Sequence, residues 1–422
     1  MQPFDIPASD RSILRGLIRE YADLAALPVQ SARMKEWTKL NKLQPTRPLV
    51  WINEICWWEF DQSEEDLRLR TQDEWGRGLE RGLRQTLYQW NHFQGDMILD
   101  PVLYNGVRCS PTSTYGDYGI QAKEVKITQG LAGTAMFTPV INTEADVDQL
   151  RTPPVVVDWE GTQRAHATLA GLCDGIIPCE TRGIVHQWAA AWDQMIHWYG
   201  IEKLYLDMTD RPELVHRLLR RFWDAVNTVL DRQVELNLLA TGNGNWRVGS
   251  GGLGCTDELP QKDCDPKHVR PIDQWGCSTG QIFSEVSPEM HWEFCLQYEK
   301  PYMEKFGLSY YGCCEPLHTK IDILRRVKNL RKISVSPWVN FDRIREQVGT
   351  SYVVSFKPNP SYLAQDRWDP ELVRRYLRES LAKLKGCRVE IILKDISTLR
   401  QDARRLWSWA QVASEVADEW AG

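Results

Sequence analysis

Leu308-Ser309-Tyr310-Tyr311-Gly312-Cys313-Cys314-Glu315-Pro316-Leu317-His318 is the stretch on which the fold turns. Residues 308–311 read as a short β-strand, behind a helix-like run over 291–306 that Gly307 stops. The two thiols therefore fall at or just past the C-terminal end of the strand, where a parallel α/β fold gathers its chemistry. Cys313 lies two residues beyond Tyr311, so an extended strand would put both on one face, with Cys314 turned away unless the strand has ended.

Working outward, the same alternation repeats. Residues 49–55, 96–104, 175–180, 280–285, 332–336, 352–357 and 388–394 carry the apolar density of strands, and 155–158, after Pro153-Pro154, reads as a rim strand. Helical patterns occupy 64–92, 163–170, 185–199 and 210–237, the last with Pro212 in its first turn. Strands and helices alternate with no clean linker, which favours one α/β domain, a (β/α)8 TIM barrel over residues 48–422, above two doubly wound domains. Two shorter helical patterns, 9–27 and 34–43, predict an N-terminal helical arm over residues 1–47.

The composition of the 422 residues, 42% hydrophobic and 26% charged, suits a globular protein with a sizeable core. A net charge of −6 argues against a general nucleic-acid or anionic-membrane binder, which needs a basic surface. No apolar run reaches membrane-spanning length, and Met1 to Asp10 lacks the layout of a signal peptide. Eleven irregularly spaced cysteines read as reduced thiols, so a cytoplasmic location is expected. Nineteen tryptophans are mostly core or subunit interface, but they also make an aromatic-lined pocket easy to build. With the N-terminal arm they hint at a homodimer.

Several motifs carry candidate chemistry. The run from Gly242 to Gly254 lacks the Gly-Lys-Ser/Thr ending of a phosphate loop and reads instead as a mobile loop near the barrel mouth. Asp257-Glu258 and Asp263-Cys264-Asp265 after it read as solvated loop charges before they read as a cation site. Cys313, Cys314, Glu315 and His318 offer soft and borderline ligands for zinc; the plain alternative is that the cysteines are small buried hydrophobes. Glu285 ends the expected strand 280–285 and suits a ligand or general base, or simply a helix N-terminal charge before Pro288. Lys357 and Lys394 end two later strands, and Asn359 follows the first. Such lysines are catalytic or anion-binding in some barrels and surface ion pairs more often. Gly-x-Ser-x-Gly, His-Glu-x-x-His and the corrinoid-binding Asp-x-His-x-x-Gly are absent.

Taken together, several segments resemble the uroporphyrinogen decarboxylase superfamily over roughly residues 96–415. Asp210-Arg211-Pro212-Glu213-Leu214-Val215-His216 looks like its helix-starting motif, and Ser287-Pro288-Glu289 like the one after a following strand. Tyr311-Gly312-Cys313-Cys314 falls where the zinc-dependent methyltransferases of the group carry His-x-Cys-Gly. Lys357-Pro358-Asn359-Pro360 through Leu363 resembles a conserved turn of the group. The arginine-rich segment with which the decarboxylase handles carboxylates has no match at 47–58, so the resemblance is nearer to the corrinoid-dependent methyltransferase or O-demethylase branch.

The resemblance implies a barrel with its site at the C-terminal strand ends and an enzyme moving a methyl group from a small methylated, methoxy-aromatic substrate to a corrinoid protein. Zn2+ would activate the substrate, and the cobalamin would be carried by the partner. Tyr311 replaces the usual histidine and no cysteine stands near 393–395, so the implied metal set is a variant one: Glu285, Cys313, Cys314 and His318, with Glu315 beside them. Glu285, Tyr311 and Lys357 are the expected catalytic residues. Trp57, Arg108, Trp275 and Asn359 are expected to hold the substrate. Two other readings are a metal-independent decarboxylase or lyase, with Lys357, Tyr311 and Arg108 on a carboxylate, and a non-catalytic binder on the same barrel.

Overall fold

The computed structural model describes residues 3–60, 64–126 and 135–420. Its centre is one parallel sheet of seven strands: β1 (Leu49–Ile52), β2 (Gln187–Ala189), β3 (Trp275–Ser278), β4 (Leu308–Tyr311), β5 (Leu330–Val335), β6 (Val353–Phe356) and β7 (Arg388–Leu393). Their order is β1-β7-β6-β5-β4-β3-β2. Each strand is followed by helical segments before the next, and the chain wraps until β7 lies beside β1, with Trp51 opposite Ile392. This arrangement is consistent with a TIM-barrel-like fold, but among the described residues the ladder does not close between β1 and β2. Residues 96–100 lie beside β1, where the Asp96 amide donates to the Val50 carbonyl at 2.8 Å. A parallel pair, Leu103–Gly106 with Cys179–Arg182, and a bridge from Ile184 to Leu239 lie between those residues and β2 in the chain's path.

The period-2 alternation of the strands explains what lies on each face. Ile391 and Leu393, Val354 and Phe356, and Ile333 and Val335 join one apolar cluster with the surrounding helices. Each such buried side chain contributes roughly 1.5–3 kcal/mol. The alternate positions, Lys332, Ser334, Ser355, Glu390 and Tyr310, are polar yet buried. They face the interior of the wrap, which a loop fills together with buried side chains such as Trp37, Val248, Leu253 and Trp275. Lys332 Nζ pairs with Glu390 Oε2 at 2.8 Å, both fully buried, and the Gly252 amide donates to Glu390 Oε1 at 3.0 Å.

That loop is the glycine-rich run, and the expectation of a mobile segment at the mouth is corrected here. Arg247 and Leu253 form an antiparallel bridge, and the hairpin inserts among the interior side chains. A Cβ on Gly251 would lie 2.6 Å from Glu390 Oε1, and one on Gly252 would lie 2.5 Å from the Trp37 ring. The glycines allow the backbone to approach where a side chain would clash.

Other expected elements also change: the helix expected over 64–92 spans Glu74–Phe93, and the strand expected over 96–104 is Leu103–Gly106. Residues 280–285 are not a strand; the strand is Trp275–Ser278, and Gln281–Phe283 is a single 3-10 turn. Residues 185–199 are not one helix, because Gln187–Ala189 is β2 and only Ala191–Tyr199 is helical. The first two helices, α1 (Ala8–Ala25) and α2 (Pro28–Asn41), pack onto the body. From α2, Trp37 Nε1 donates to the Asp96 carbonyl, and Asn41 Nδ2 donates to the carbonyls of Leu253 and Cys255.

Candidate active site

A cleft of ≈ 300 Å³ opens at the C-terminal ends of β4 to β7, lined among others by Cys314, Trp338, Lys357, Asn359, Lys394 and Asp395. The inward parity of each strand delivers its polar terminus there: Lys357 follows Ser355 by two, and Lys394 follows Glu390 by four. Lys357 Nζ donates to the Tyr310 hydroxyl at 2.7 Å. Asn359 caps the next turn, its Oδ1 accepting from the Ser361 amide at 3.0 Å. Trp338, 68% exposed, stands on the rim.

β4 reaches the cleft differently. The strand ends at Tyr311, and Gly312 has φ +99°, a left-handed conformation that breaks the alternation. Cys313 therefore does not share a face with Tyr311, as an uninterrupted strand would require. Its sulfur lies 3.6 Å from Cys314 Sγ and 3.5 Å from Lys394 Nζ. The Cys313 amide donates to Glu315 Oε2 at 2.8 Å, and Thr279 Oγ1 donates to Glu315 Oε1 at 3.2 Å, so the buried Glu315 pins the turn.

Lys394 is the cation of this cluster. Its Nζ is 3.9 Å from Cys314 Sγ, 2.9 Å from Asp395 Oδ2 and 3.4 Å from Glu54 Oε2. Burial opposes its charge, but Cys313, Cys314, Glu54 and Asp395 together outweigh burial and hold the ammonium well above the ordinary lysine range. The hydrogen bond from Cys314 depresses the Cys313 thiol against the opposing effect of burial, with Lys394 adding to the depression. Cys314 moves the opposite way, raised by that hydrogen bond, by burial and by the charge on Cys313. The pair therefore ionises first at Cys313, where a thiolate would be faced by an ammonium.

The other expected residues lie elsewhere. Tyr311 points to the helix layer, where its hydroxyl meets His291 Nε2 at 2.6 Å. Beside it, burial lowers His291 to about 3 and raises the fully buried Glu299 to about 7. Glu285 is exposed, well past the end of β3. His318 sits on a 3-10 turn, Leu317–Thr319, and burial, then Arg343 and Lys320, lower its basicity. Trp275 is core, fully buried with Nε1 donating to the Gly254 carbonyl at 2.9 Å. Trp57 packs against Phe60, Tyr88 and Phe93, and Arg108 pairs at the surface with Asp158 at 3.5 Å.

Glu285, Cys313, Cys314 and His318 consequently do not converge. Among the described residues no group of three or more His, Cys, Asp and Glu side chains is arranged to hold a metal ion. The position beside both thiols is taken by an ammonium, and this donor set does not fit a tetrahedral zinc centre. Asp395 and Glu54 were not singled out by the sequence as site residues. The signal available for them was their place at the ends of β7 and β1.

No family model matches the chain, and no curated protein matches it in sequence. Among solved structures it is similar to a methyltransferase from Methanosarcina mazei, at 8% sequence identity and a TM-score of 0.51, over 91% of this chain and 98% of that one. The likeness is one of fold: this chain shares that protein's α/β architecture over nearly its whole length.

Proposed function

We propose that the chain is an enzyme of the methyl-transfer kind. It would take a methyl group from a small methylated, methoxy-aromatic substrate and pass it to a corrinoid carried by a partner protein. The observation that carries this reading is Lys394, a buried ammonium kept charged at the mouth of the cleft, 3.5 Å from Cys313 Sγ. Demethylation of an aryl ether leaves a phenoxide, and the departing oxygen needs a facing cation. The fold likeness to the Methanosarcina mazei methyltransferase agrees with this reading.

In this scheme the substrate ring lies against Trp338 and the proline-rich wall of Pro337, Pro358 and Pro360. Its ether oxygen faces Lys394, whose charge meets the oxygen as the bond to the methyl carbon breaks. Asp395 and Glu54 hold the ammonium in place. Lys357, fixed by Tyr310 and Ser355, supplies a second cation for a ring substituent such as a carboxylate. The partner's corrinoid supplies the nucleophile for the methyl carbon, in keeping with the absence of a corrinoid motif from this chain. No step runs through zinc, because among the described residues no three of the expected donors are grouped to hold an ion.

The lyase alternative needs Lys357, Tyr311 and Arg108 on one carboxylate, and these face the cleft, the helix layer and the outer surface respectively. The test is incubation of the protein with methoxylated benzoates and cob(I)alamin, following methylcob(III)alamin and the phenol together. Stoichiometric appearance of both supports methyl transfer. Release of CO2 without methylcobalamin, or no reaction with any methoxy-aromatic, overturns it.

A further inference from the structure

A second cavity, of ≈ 530 Å³, lies away from the thiol cleft, between the strand pair Leu103–Gly106 with Cys179–Arg182 and the loop from Asn237 to Trp246. Nothing in the proposed reaction uses it. Its main feature is Arg182, whose guanidinium lies 3.5 Å from the centroid of the Tyr104 ring and 5.6 Å from that of Trp246. Such stacking fixes the plane of the fork and leaves its edge free to bond. Among the described residues its one polar side-chain partner is the Tyr104 phenol, and it makes no ion pair. That is unusual for a half-buried arginine in a chain where many of the other arginines pair with carboxylates.

The charges of the lining decide the ligand class. Arg182 and Lys267 are positive, Asp100 and Glu180 are negative, so the lining has no net charge but offers both signs, with Arg182 near enough to Asp100 to act on its carboxylate. An anion would be drawn to one sign and repelled by the other. A zwitterion satisfies both. Two large rings on the rim, Trp246 at 42% and Trp159 at 46% exposure, leave apolar faces open to solvent, which suits a ligand that also carries a ring. The loop is held in shape by Asn243 Nδ2 on the Leu259 carbonyl and Asn245 Nδ2 on the Ile98 carbonyl, each at 2.8 Å. The cavity is therefore built before anything enters it, which favours affinity because little ordering remains.

We propose that this cavity is a binding site for a small aromatic zwitterion of the α-amino-acid class, with the carboxylate on Arg182, the ammonium near Asp100 and the ring against Trp246. The site is independent of the thiol cleft and of the methyl-transfer reading. Asp100 is raised to about 6 by burial, against the pull of Arg182, so its carboxylate is in place at pH 7.5.

The probe is L-phenylalanine, with 3-phenylpropanoate and phenethylamine as analogues lacking one charge each, titrated into the full chain by calorimetry at pH 7.5. The expected result is saturable binding of phenylalanine, with each analogue about tenfold weaker or worse, the loss typical of one charged hydrogen bond. Arg182→Met should weaken phenylalanine to the level of phenethylamine, and Asp100→Asn to that of 3-phenylpropanoate. Trp246→Ala, which removes a half-exposed ring and one of the two faces that orient Arg182, should weaken all three ligands and settles the matter if Arg182→Met does not fold. Absence of heat with phenylalanine up to about 10 mM, a Kd far weaker than such a site should give, overturns the proposal. So does equal binding of the three ligands, or wild-type affinity in both Arg182→Met and Trp246→Ala.

Discussion

Replacing Lys394 with methionine removes the cation from the thiol pair while keeping most of the volume of its stem. Cys313 Sγ is 3.5 Å from the ammonium, and Asp395 and Glu54 lie within 3.4 Å of it. Without Lys394, a Cys313 thiolate would face two carboxylates with only the weaker pull of Lys357 to offset them. A hydrogen bond to a charged group contributes about 1.5–3 kcal/mol, and a facing pair near 4 Å is bounded by about 4 kcal/mol at an effective dielectric of ~20. The lower figure is the one to use, because the two carboxylates already offset part of the lysine's charge. At 1.4 kcal/mol per tenfold, alkylation of Cys313 by iodoacetamide near neutral pH should slow by roughly 10- to 100-fold. Fragment-ion mass spectrometry separates Cys313 from Cys314, and circular dichroism checks the fold of the variant. The rate should recover as pH is raised, since more base restores the thiolate that lysine had stabilised. An unchanged rate at neutral pH, or a loss that high pH does not restore, would refute the assignment of Lys394 as the thiolate's partner.

Two further perturbations test the interior. Glu299 has its folded pKa raised to about 7 by burial, so the folded state holds a proton that the unfolded state releases above about 4.3. The Glu299 contribution to stability should therefore fall as pH rises through this window, by a total of about 4 kcal/mol, and Glu299→Gln should remove it from the melting-temperature profile between about pH 4.3 and 7. His291, lowered to about 3, acts in the opposite sense, losing stability as pH falls from about 6.5. It offsets the Glu299 effect over the shared window, and the comparison of wild type with Glu299→Gln isolates the Glu299 share. Lys332→Met should cost about 3–5 kcal/mol in urea unfolding, because it leaves Glu390 buried and unpaired. The double variant with Glu390→Gln should recover much of the loss, since the new amide oxygen can still accept from Gly252.

The strands were legible in sequence where apolar, aromatic or β-branched residues are dense. Residues 308–311 were read with the bounds the strand has, and 330–335, 353–356 and 388–393 to within a residue or two. Trp275–Ser278 and Gln187–Ala189 carried no such signal. In Trp-Gly-Cys-Ser the glycine makes room for the Phe306 ring, and in Gln-Trp-Ala the small alanine lies fully buried. Missing β3 moved the expected strand end from Ser278 to Glu285, seven residues on, and this made Glu285 look like a site residue. The glycine-rich hairpin was misread for a related reason: glycine density marks close backbone approach as readily as mobility, and only the polar inward residues Lys332, Ser355 and Glu390 revealed which it was. Those residues gave strands that are apolar on one face and polar on the other, the pattern of a surface sheet, although both faces are buried. Lys394 was visible as a strand-end lysine. What the sequence could not supply was Gly312's turn, which carries both thiols to it.

The central claim is that Lys394, and not a metal ion, is the cation facing the leaving oxygen. The direct measurement is the single-turnover rate of methyl transfer from a methoxybenzoate to cob(I)alamin, taken for the wild type before and after dialysis against a strong chelator, and for Lys394→Met. The structure predicts that chelation leaves the wild-type rate unchanged and that Lys394→Met loses on the order of 10²–10³ in rate, the usual cost of deleting one preorganised charge-stabilising group. A rate abolished by chelation and restored by zinc, with Lys394→Met as fast as wild type, would contradict it.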